Sequence, residues 1–135
     1  MTREYKTCST CGRKQSVTSF HKSNRRAGCR TRTAGYRQSR CARCQAADRE
    51  RYRARNRRFL AAEKERVGCA DCGFPGPACA LDFHHVKGKV FTLSGRRANQ
   101  LSIADLQAEI KKCIVVCANC HRIRHWIGEK RAVAH

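Results

Sequence analysis

The sequence predicts a small, zinc-stapled α+β fold, and three observations lead to this prediction. Of the 135 residues, 41% are hydrophobic, but eleven of these are cysteines, so little apolar material remains for a core. Most of the cysteines lie in C-x-x-C pairs, the spacing of tetrahedral zinc knuckles. Strand-like and helix-like stretches alternate in the second half of the chain. A chain with so small an apolar core needs cross-links to stay folded, and bound metal ions can provide them.

Disulfide bonds are the alternative staple. Residues 1–30 are rich in Lys and Arg and lack the apolar stretch of a secretory signal peptide. No later stretch reaches the length of a membrane span. The number of cysteines is also odd. We therefore expect a cytoplasmic protein in a reducing environment, with structural zinc rather than disulfides.

The composition is strongly basic. Thirty Lys and Arg against ten Asp and Glu give a formal charge of +20. Two four-thiolate zinc sites, each contributing about −2, would still leave about +16. This excess predicts a polyanionic partner, most simply a nucleic acid, although a merely solubilising surface is the alternative.

An N-terminal zinc-knuckle module and a basic linking helix form the first predicted domain, residues 1–66. An Arg- and Gly-rich loop separates two C-x-x-C pairs, and only a shared ion at its base would hold it. The predicted ligands of this ion are Cys8, Cys11, Cys41 and Cys44. Cys29 lies within the loop and could replace one of them.

The linking helix is predicted from about Gln45 to Val67, because neither Gly nor Pro interrupts it. Its apolar stripe is narrow, and arginines crowd the remaining faces. A charge run is usually a solvated face, but here little acid is present to pair the arginines, which favours phosphate contact. The candidate contacts on this helix are Arg51, Arg55 and Arg58.

The second predicted domain covers residues 67–135. Ser102, followed by Asp105 three residues later, is typical of a helix N-terminus. In chain order, the predicted elements are a knuckle at Cys69 and Cys72, a strand at 81–86, a helix from Ser102, a strand at 113–116, a knuckle at Cys117 and Cys120, and a helix from His121 that stops near Gly128.

Histidines supply the candidate chemistry. His121 and His125 are four residues apart, so they share one helix face at a spacing that suits a divalent ion. Cys120 is rotated by about 100° and points back towards Cys117, so one helix can serve two metals. A phosphate contact or a helix C-terminal cation is the alternative for His125. The C-A-N-C-H segment at 117–121 also fits c-type haem attachment, but that function needs export and an axial partner.

His84 and His85 are adjacent at the end of the predicted strand. Strand alternation sends them to opposite faces, so they share a site only if the strand bends or ends there. One could then be a third metal ligand and the other a free base, kept neutral by the nearby dication. Two structural histidines in a small core are the alternative.

The order and spacing of these motifs closely resemble the HNH endonucleases. The residues that carry the resemblance are Leu81-Asp82-Phe83-His84-His85-Val86, Glu109-Ile110-Lys111-Lys112 and Cys113-Ile114-Val115-Val116-Cys117-Ala118-Asn119-Cys120-His121, with His125 after them. The likeness covers about residues 67–127. It is closest to small phage-like members whose ββα-metal core is clasped by a four-cysteine zinc, and the N-terminal half resembles a zinc module seen ahead of such domains.

The resemblance implies metal-dependent, one-metal hydrolysis of DNA phosphodiester bonds, leaving a 5′ phosphate and a 3′ hydroxyl. His84, His121 and His125 would bind the catalytic ion (Mg²⁺, Mn²⁺, Ni²⁺ or Zn²⁺), and His85 would be the general base. The structural zinc would be bound by Cys69, Cys72, Cys117 and Cys120. The basic residues near the motif that could hold phosphates are Arg122, Arg124, Lys87, Lys89, Arg96 and Arg97.

Two departures from the family pattern are visible. Many members have Asp where this chain has His84, and three imidazoles favour softer ions than magnesium, unless Asp82 compensates. The family's middle Asn aligns at about Lys112, which leaves Asn99 and Asn119 as candidates to orient the base. Cys79 could replace a zinc ligand, and Cys113 is expected to pack in its strand.

Two other functions are compatible with the composition. One is a non-catalytic, zinc-stapled nucleic-acid-binding protein on a degenerate HNH scaffold. The other is an RNA-modifying or RNA-binding protein of the ribosome, which leaves the clustered histidines without a purpose. The nuclease prediction requires the imidazoles of the doublet and of the last helix to converge in space.

Overall fold

The structure is a computed structural model that describes residues 4–22 and 37–133. The chain divides into two compact units, Met1–Arg51 and Tyr52–His135. The sequence places this boundary later, between residues 66 and 67. The difference arises because the second half of the long helix packs within the second unit. Cys29 and most of the Arg-rich loop lie outside the described residues.

The first unit contains a short antiparallel hairpin, β1 (Tyr5–Thr7) and β2 (Lys14–Ser16). The first knuckle forms its turn, where Gly12 adopts a positive φ of 67° that disfavours other residues. A 3-10 turn then places Phe20 in the interior, where it packs with Cys8 and Cys41. This small cluster is the apolar core among the described residues of the unit.

The long helix α1 spans Ala42–Val67, beginning three residues before the predicted start. The predicted end at Val67 is confirmed, because Gly68 takes a left-handed φ of 68° and its N–H bonds back to the Lys64 carbonyl. The apolar stripe predicted for this helix consists of Tyr52, Phe59, Leu60 and Val67. It is only partly buried: Leu60 is in the core, whereas Tyr52 and Val67 are exposed.

The second unit is a β-hairpin flanked by helices. β3 (Leu81–His85) pairs antiparallel with β4 (Cys113–Cys117), with Leu81 opposite Cys117 and His85 opposite Cys113. Between them lies α2 (Ile103–Ile110), and directly after them comes α3 (Ala118–Val133). α3 packs on both strands and continues past Gly128, where the sequence predicts its end.

The predicted helix start at Ser102 is confirmed as a capping box. The Ser102 hydroxyl accepts the Asp105 N–H at 3.1 Å, and the Asp105 carboxylate accepts the Ser102 N–H at 3.3 Å. This cap starts α2 at the point where Leu106 can enter the core, since Leu106 is fully buried.

Two apolar clusters stabilise the second unit. One lies under the hairpin and contains Cys69, Leu81, Val115, Val116 and Cys117. The other joins α1 to α2 and to the loop before it, through Leu60, Leu93, Ala98 and Leu106. None of the described helices combines the length and apolarity that crossing a membrane requires.

Candidate metal centre

Two groups of four cysteines converge as the sequence predicts. One contains Cys8, Cys11, Cys41 and Cys44, and the other contains Cys69, Cys72, Cys117 and Cys120. Within each group the four sulfurs lie within 4.8 Å of one another. The cysteines in the described part of the chain are all unbridged. Four convergent thiols are the ligand set of a closed structural zinc site, so the chain has two clusters that could hold zinc.

The backbone of the first knuckle stabilises the thiolate form of Cys8. The N–H groups of Cys11 and Cys41 donate to its sulfur and lower the pKa of Cys8 to about 5, although burial opposes this. The hydrogen bond with the Cys41 sulfur, together with burial, raises the pKa of Cys44 to about 12. Four adjacent sulfurs cannot all be charged unless a cation lies between them, which fits a zinc ion.

The second cluster shows the same pattern. Burial raises the pKa of Cys69, but N–H donors from Cys117 and Cys72 outweigh it and bring the pKa to about 6. The contact with the Cys117 sulfur, followed by burial, raises the pKa of Cys120 to about 12. Because Cys117 ends β4 and Cys120 lies in the first turn of α3, this cluster also joins strand to helix.

Three imidazoles converge beside the second cluster. His84 lies near the end of β3, and His121 and His125 lie one turn apart on α3. The ring centroids of His84 are 5.2 Å from His121 and 5.4 Å from His125, and the two helix rings are 4.8 Å apart. One ring nitrogen of each lies within 4.8 Å of the others. Three of the four imidazoles that the nuclease prediction requires therefore converge, and these nitrogens could hold one ion.

Neighbouring groups suit these rings to metal binding. Burial, followed by the two neighbouring histidines, lowers the pKa of His84, which keeps its ring in the neutral, ligating form. Asp82 lies 3.2 Å from His121 Nδ1, leaving Nε2 for the cluster. Asp82 is thus a partner of a histidine, and it is not among the residues whose ligand atoms converge.

His85 has a different partner. Its Nε2 lies 2.9 Å from the carboxylate of Glu109, which is only 2% exposed. Burial would raise the pKa of Glu109, but donors from Lys112, from the Val90 and Phe91 backbone and from His85 lower it to about 2. Glu109 is therefore a buried, ionised carboxylate. The doublet separates as strand alternation predicts, with only its first member in the trihistidine group.

Sequence reasoning missed Glu109. The residues that the sequence offers for orienting His85 are Asn99 and Asn119. In the structure, Asn99 donates to the Gly95 carbonyl and Asn119 is exposed. A signal was present, because Glu109 lies three residues after Leu106 and therefore on the core-facing side of α2. A charged residue on an apolar helix face needs a buried partner.

A cleft of about 650 Å³ opens over these groups. All four histidines line it, with Leu60 and Leu93 among its apolar lining residues. Its cationic lining residues are Arg57, Lys64 and Lys89, and its one acidic lining residue is Asp82. A concave site with this charge excess suits a phosphate-bearing ligand.

The predicted phosphate contacts outside the cleft have mixed surroundings. They are Arg51, Arg55, Arg58, Lys87, Arg96, Arg97, Arg122 and Arg124, of which Lys87, Arg96 and Arg97 are exposed. Arg51 pairs with Asp48, and Arg55 donates to the side chain of the next residue. Arg58 and Arg122 are exposed. Arg124 is held by Asp71, so it ties α3 to the second knuckle. Their contact with nucleic acid stays a prediction.

The two remaining described cysteines lie outside both clusters. Cys113 is half-buried in β4, its sulfur donates to the Glu109 carbonyl, and burial raises its pKa to about 11. It is therefore a neutral thiol that packs in its strand, as predicted. Cys79 is exposed and lines the cleft.

The arrangement thus combines three convergent imidazoles, a fourth imidazole held by a buried carboxylate, and a basic cleft over both. Convergent neutral imidazoles can bind a divalent cation. An oriented imidazole can accept a proton, and the cations of the cleft can bind phosphates. Comparison with family models, with curated proteins and with solved structures finds no match to this chain.

Proposed function

We propose that this protein is a metal-dependent DNA endonuclease of the HNH type, which hydrolyses phosphodiester bonds with one divalent ion. The observation that carries the proposal is the trihistidine cluster of His84, His121 and His125, with His85 lining the same cleft. The β3–β4–α3 order with a four-cysteine group at its strand–helix junction agrees with the ββα-metal resemblance.

The trihistidine cluster would hold the ion. The cluster fits a divalent cation, because its nitrogens converge and Asp82 orients His121. Its all-nitrogen composition favours Zn²⁺ or Ni²⁺ over Mg²⁺. When bound, the ion supplies Lewis-acid stabilisation of negative charge on the phosphate and on the leaving oxygen.

The remaining chemistry belongs to side chains of the chain itself. His85 takes a proton from a water molecule, whose oxygen attacks phosphorus as the bond to the 3′ oxygen breaks. Arg57, Lys64 and Lys89 bind neighbouring phosphates along the cleft. The net charge of +20 draws DNA to the protein and makes binding strongly salt-dependent.

Supercoiled plasmid incubated with Mg²⁺, Mn²⁺, Ni²⁺ or Zn²⁺ tests the proposal. His85→Ala is expected to lower the nicking rate by about 10²–10⁴-fold, the usual contribution of a positioned base. DNA affinity should stay near that of the wild type, because phosphate contacts dominate it. The matched control is His21→Ala, an exposed histidine of the first unit, which should nick as the wild type does.

The ends of the nick provide a second readout. DNA ligase should reseal the product directly, because hydrolysis of this kind leaves a 5′ phosphate and a 3′ hydroxyl. Equal nicking by the wild type and His85→Ala, indifferent to the added ion, would contradict the proposal. Salt-dependent DNA binding without nicking would instead identify a non-catalytic nucleic-acid-binding protein.

A further inference from the structure

Glu109 is a charged residue in an unusual place. It belongs to α2, is 2% exposed, and lies one turn after the fully buried Leu106. Burying a carboxylate is costly unless hydrogen bonds replace the lost water. The contacts of the Glu109 carboxylate indicate what its charge does.

Among the described residues, every hydrogen-bonding partner of the Glu109 carboxylate can donate a proton to it. Its Oε1 accepts the Val90 N–H at 2.8 Å and the Phe91 N–H at 3.3 Å, and lies 2.9 Å from His85 Nε2. Its Oε2 accepts from Lys112 Nζ at 2.8 Å. A carboxylate surrounded in this way carries no proton, so the hydrogen between Glu109 and His85 resides on His85 Nε2.

We propose that Glu109 is the positioning residue of the catalytic base, holding His85 with Nε2 as donor and Nδ1 as the proton acceptor. This inference rests on the proposed nuclease function. A neutral imidazole has one donor and one acceptor nitrogen, so occupation of Nε2 by Glu109 leaves Nδ1 to face the reacting water. A buried carboxylate that fixes tautomer and ring orientation acts in the same way as the aspartate of a Ser-His-Asp triad.

The proton and electron balance of the step follows from this geometry. A water proton moves to His85 Nδ1, and the electron pair of that O–H bond becomes available on the water oxygen. This oxygen forms the new bond to phosphorus, and the bond from phosphorus to the 3′ oxygen breaks. The departing oxygen takes a proton from solvent, and His85 returns its own proton to solvent. Glu109 stays ionised throughout and stabilises the transient imidazolium.

Glu109→Gln tests the charge with little change in shape. The Val90 and Phe91 N–H groups need an acceptor, so they should keep the amide oxygen at the position of Oε1. The ring of His85 then keeps its place but loses the carboxylate, and kcat for nicking should fall about 10²-fold or more. KM for DNA should change little, because Glu109 does not line the cleft. The matched control is Glu63→Gln, the same substitution at a carboxylate of α1 that pairs with Arg66 and does not line the cleft, and it should keep kcat within about threefold.

Two further readouts separate positioning from a merely structural role. Nitrogen NMR of the wild type should show His85 as the Nε2–H tautomer at neutral pH. In the His85→Ala protein, adding Glu109→Gln should lower the nicking rate little further, because Glu109 acts through His85. An Nδ1–H tautomer, additive effects of the two substitutions, or wild-type kcat in a folded, zinc-loaded Glu109→Gln protein would each overturn the inference.

The outcomes also distinguish this inference from the function on which it rests. A wild type that nicks no DNA with any of the four ions overturns both. Nicking that depends on His85 but is unaffected by Glu109→Gln overturns only the role of Glu109. If Glu109→Gln fails to fold, Glu109→Asp is the alternative variant, because it keeps the negative charge on a shorter side chain. A lowered kcat with an unchanged KM in this variant supports the positioning role. An unchanged kcat opposes it.

Discussion

The two four-cysteine clusters are built alike but stabilise different amounts of structure. The first encloses Phe20 and little other apolar material among the described residues of its unit. The second lies against Leu81, Val115 and Val116 at the junction of β4 and α3, one residue before His121. In the first unit the four-cysteine cluster thus takes the place of an apolar core, whereas in the second unit it positions the trihistidine cluster.

The largest expected effect comes from removing one ligand of each cluster. Cys41→Ser should unfold the first unit, because this unit has almost no apolar core and depends on zinc binding to fold. Zinc binding typically contributes about 10–16 kcal/mol in small zinc domains. Cys117→Ser should unfold the hairpin–helix region and displace His121. Amide resonances and bound zinc per chain measure both outcomes, with exposed Cys79→Ser as the control.

The comparison predicts that Cys41→Ser leaves the spectrum of the second unit unchanged and lowers bound zinc by one ion per chain. It also predicts that Cys117→Ser abolishes nicking, whereas Cys41→Ser does not. Native-like dispersion of the first unit in Cys41→Ser, or of the second unit in Cys117→Ser, would contradict the assignment of a zinc ion to that cluster.

A smaller effect is expected at Asn56, where the second unit has support that does not depend on metal. Asn56 is fully buried on α1 and donates to the carbonyls of Ala98 at 2.8 Å and Leu101 at 3.0 Å. Asn56→Ala leaves both acceptors without a partner, so the free energy of unfolding of the second unit should fall by about 2–4 kcal/mol. Denaturant unfolding of the zinc-loaded protein measures it.

The control for this prediction is Asn99→Ala. Asn99 makes one exposed hydrogen bond, to the Gly95 carbonyl, so its loss should cost less than about 1 kcal/mol. Equal effects of the two substitutions would show that the second half of α1 does not belong to the second unit.

The smallest expected effect comes from the cap of α2. Ser102→Ala removes the acceptor for the Asp105 N–H and should lower the free energy of unfolding by about 1 kcal/mol. Thermal unfolding, compared with that of Ser94→Ala on the exposed loop before α2, measures the difference. A cap that contributes nothing would indicate that packing of Leu106 alone holds α2.

Sequence reasoning succeeded where the determining pattern is local. The C-x-x-C spacing, the i and i+4 histidines of α3 and the capping box each depend on residues within one or two turns. It failed where the partner is distant and belongs to no metal-ligand motif: Glu109 lies 24 residues from His85, and Asn56 lies 42 residues from Ala98. Such pairs are set by tertiary packing, which is also why the unit boundary falls within α1 and not after it.

Metal binding to the zinc-loaded protein tests the central claim most directly. After chelating resin and gel filtration, the wild type should retain two zinc ions per chain and then bind one further Ni²⁺ or Zn²⁺ in a calorimetric titration. His125→Ala should keep the two zinc ions and bind the third ion at least about tenfold more weakly. A third ion bound equally well by the wild type and His125→Ala, or by neither, would contradict the trihistidine site.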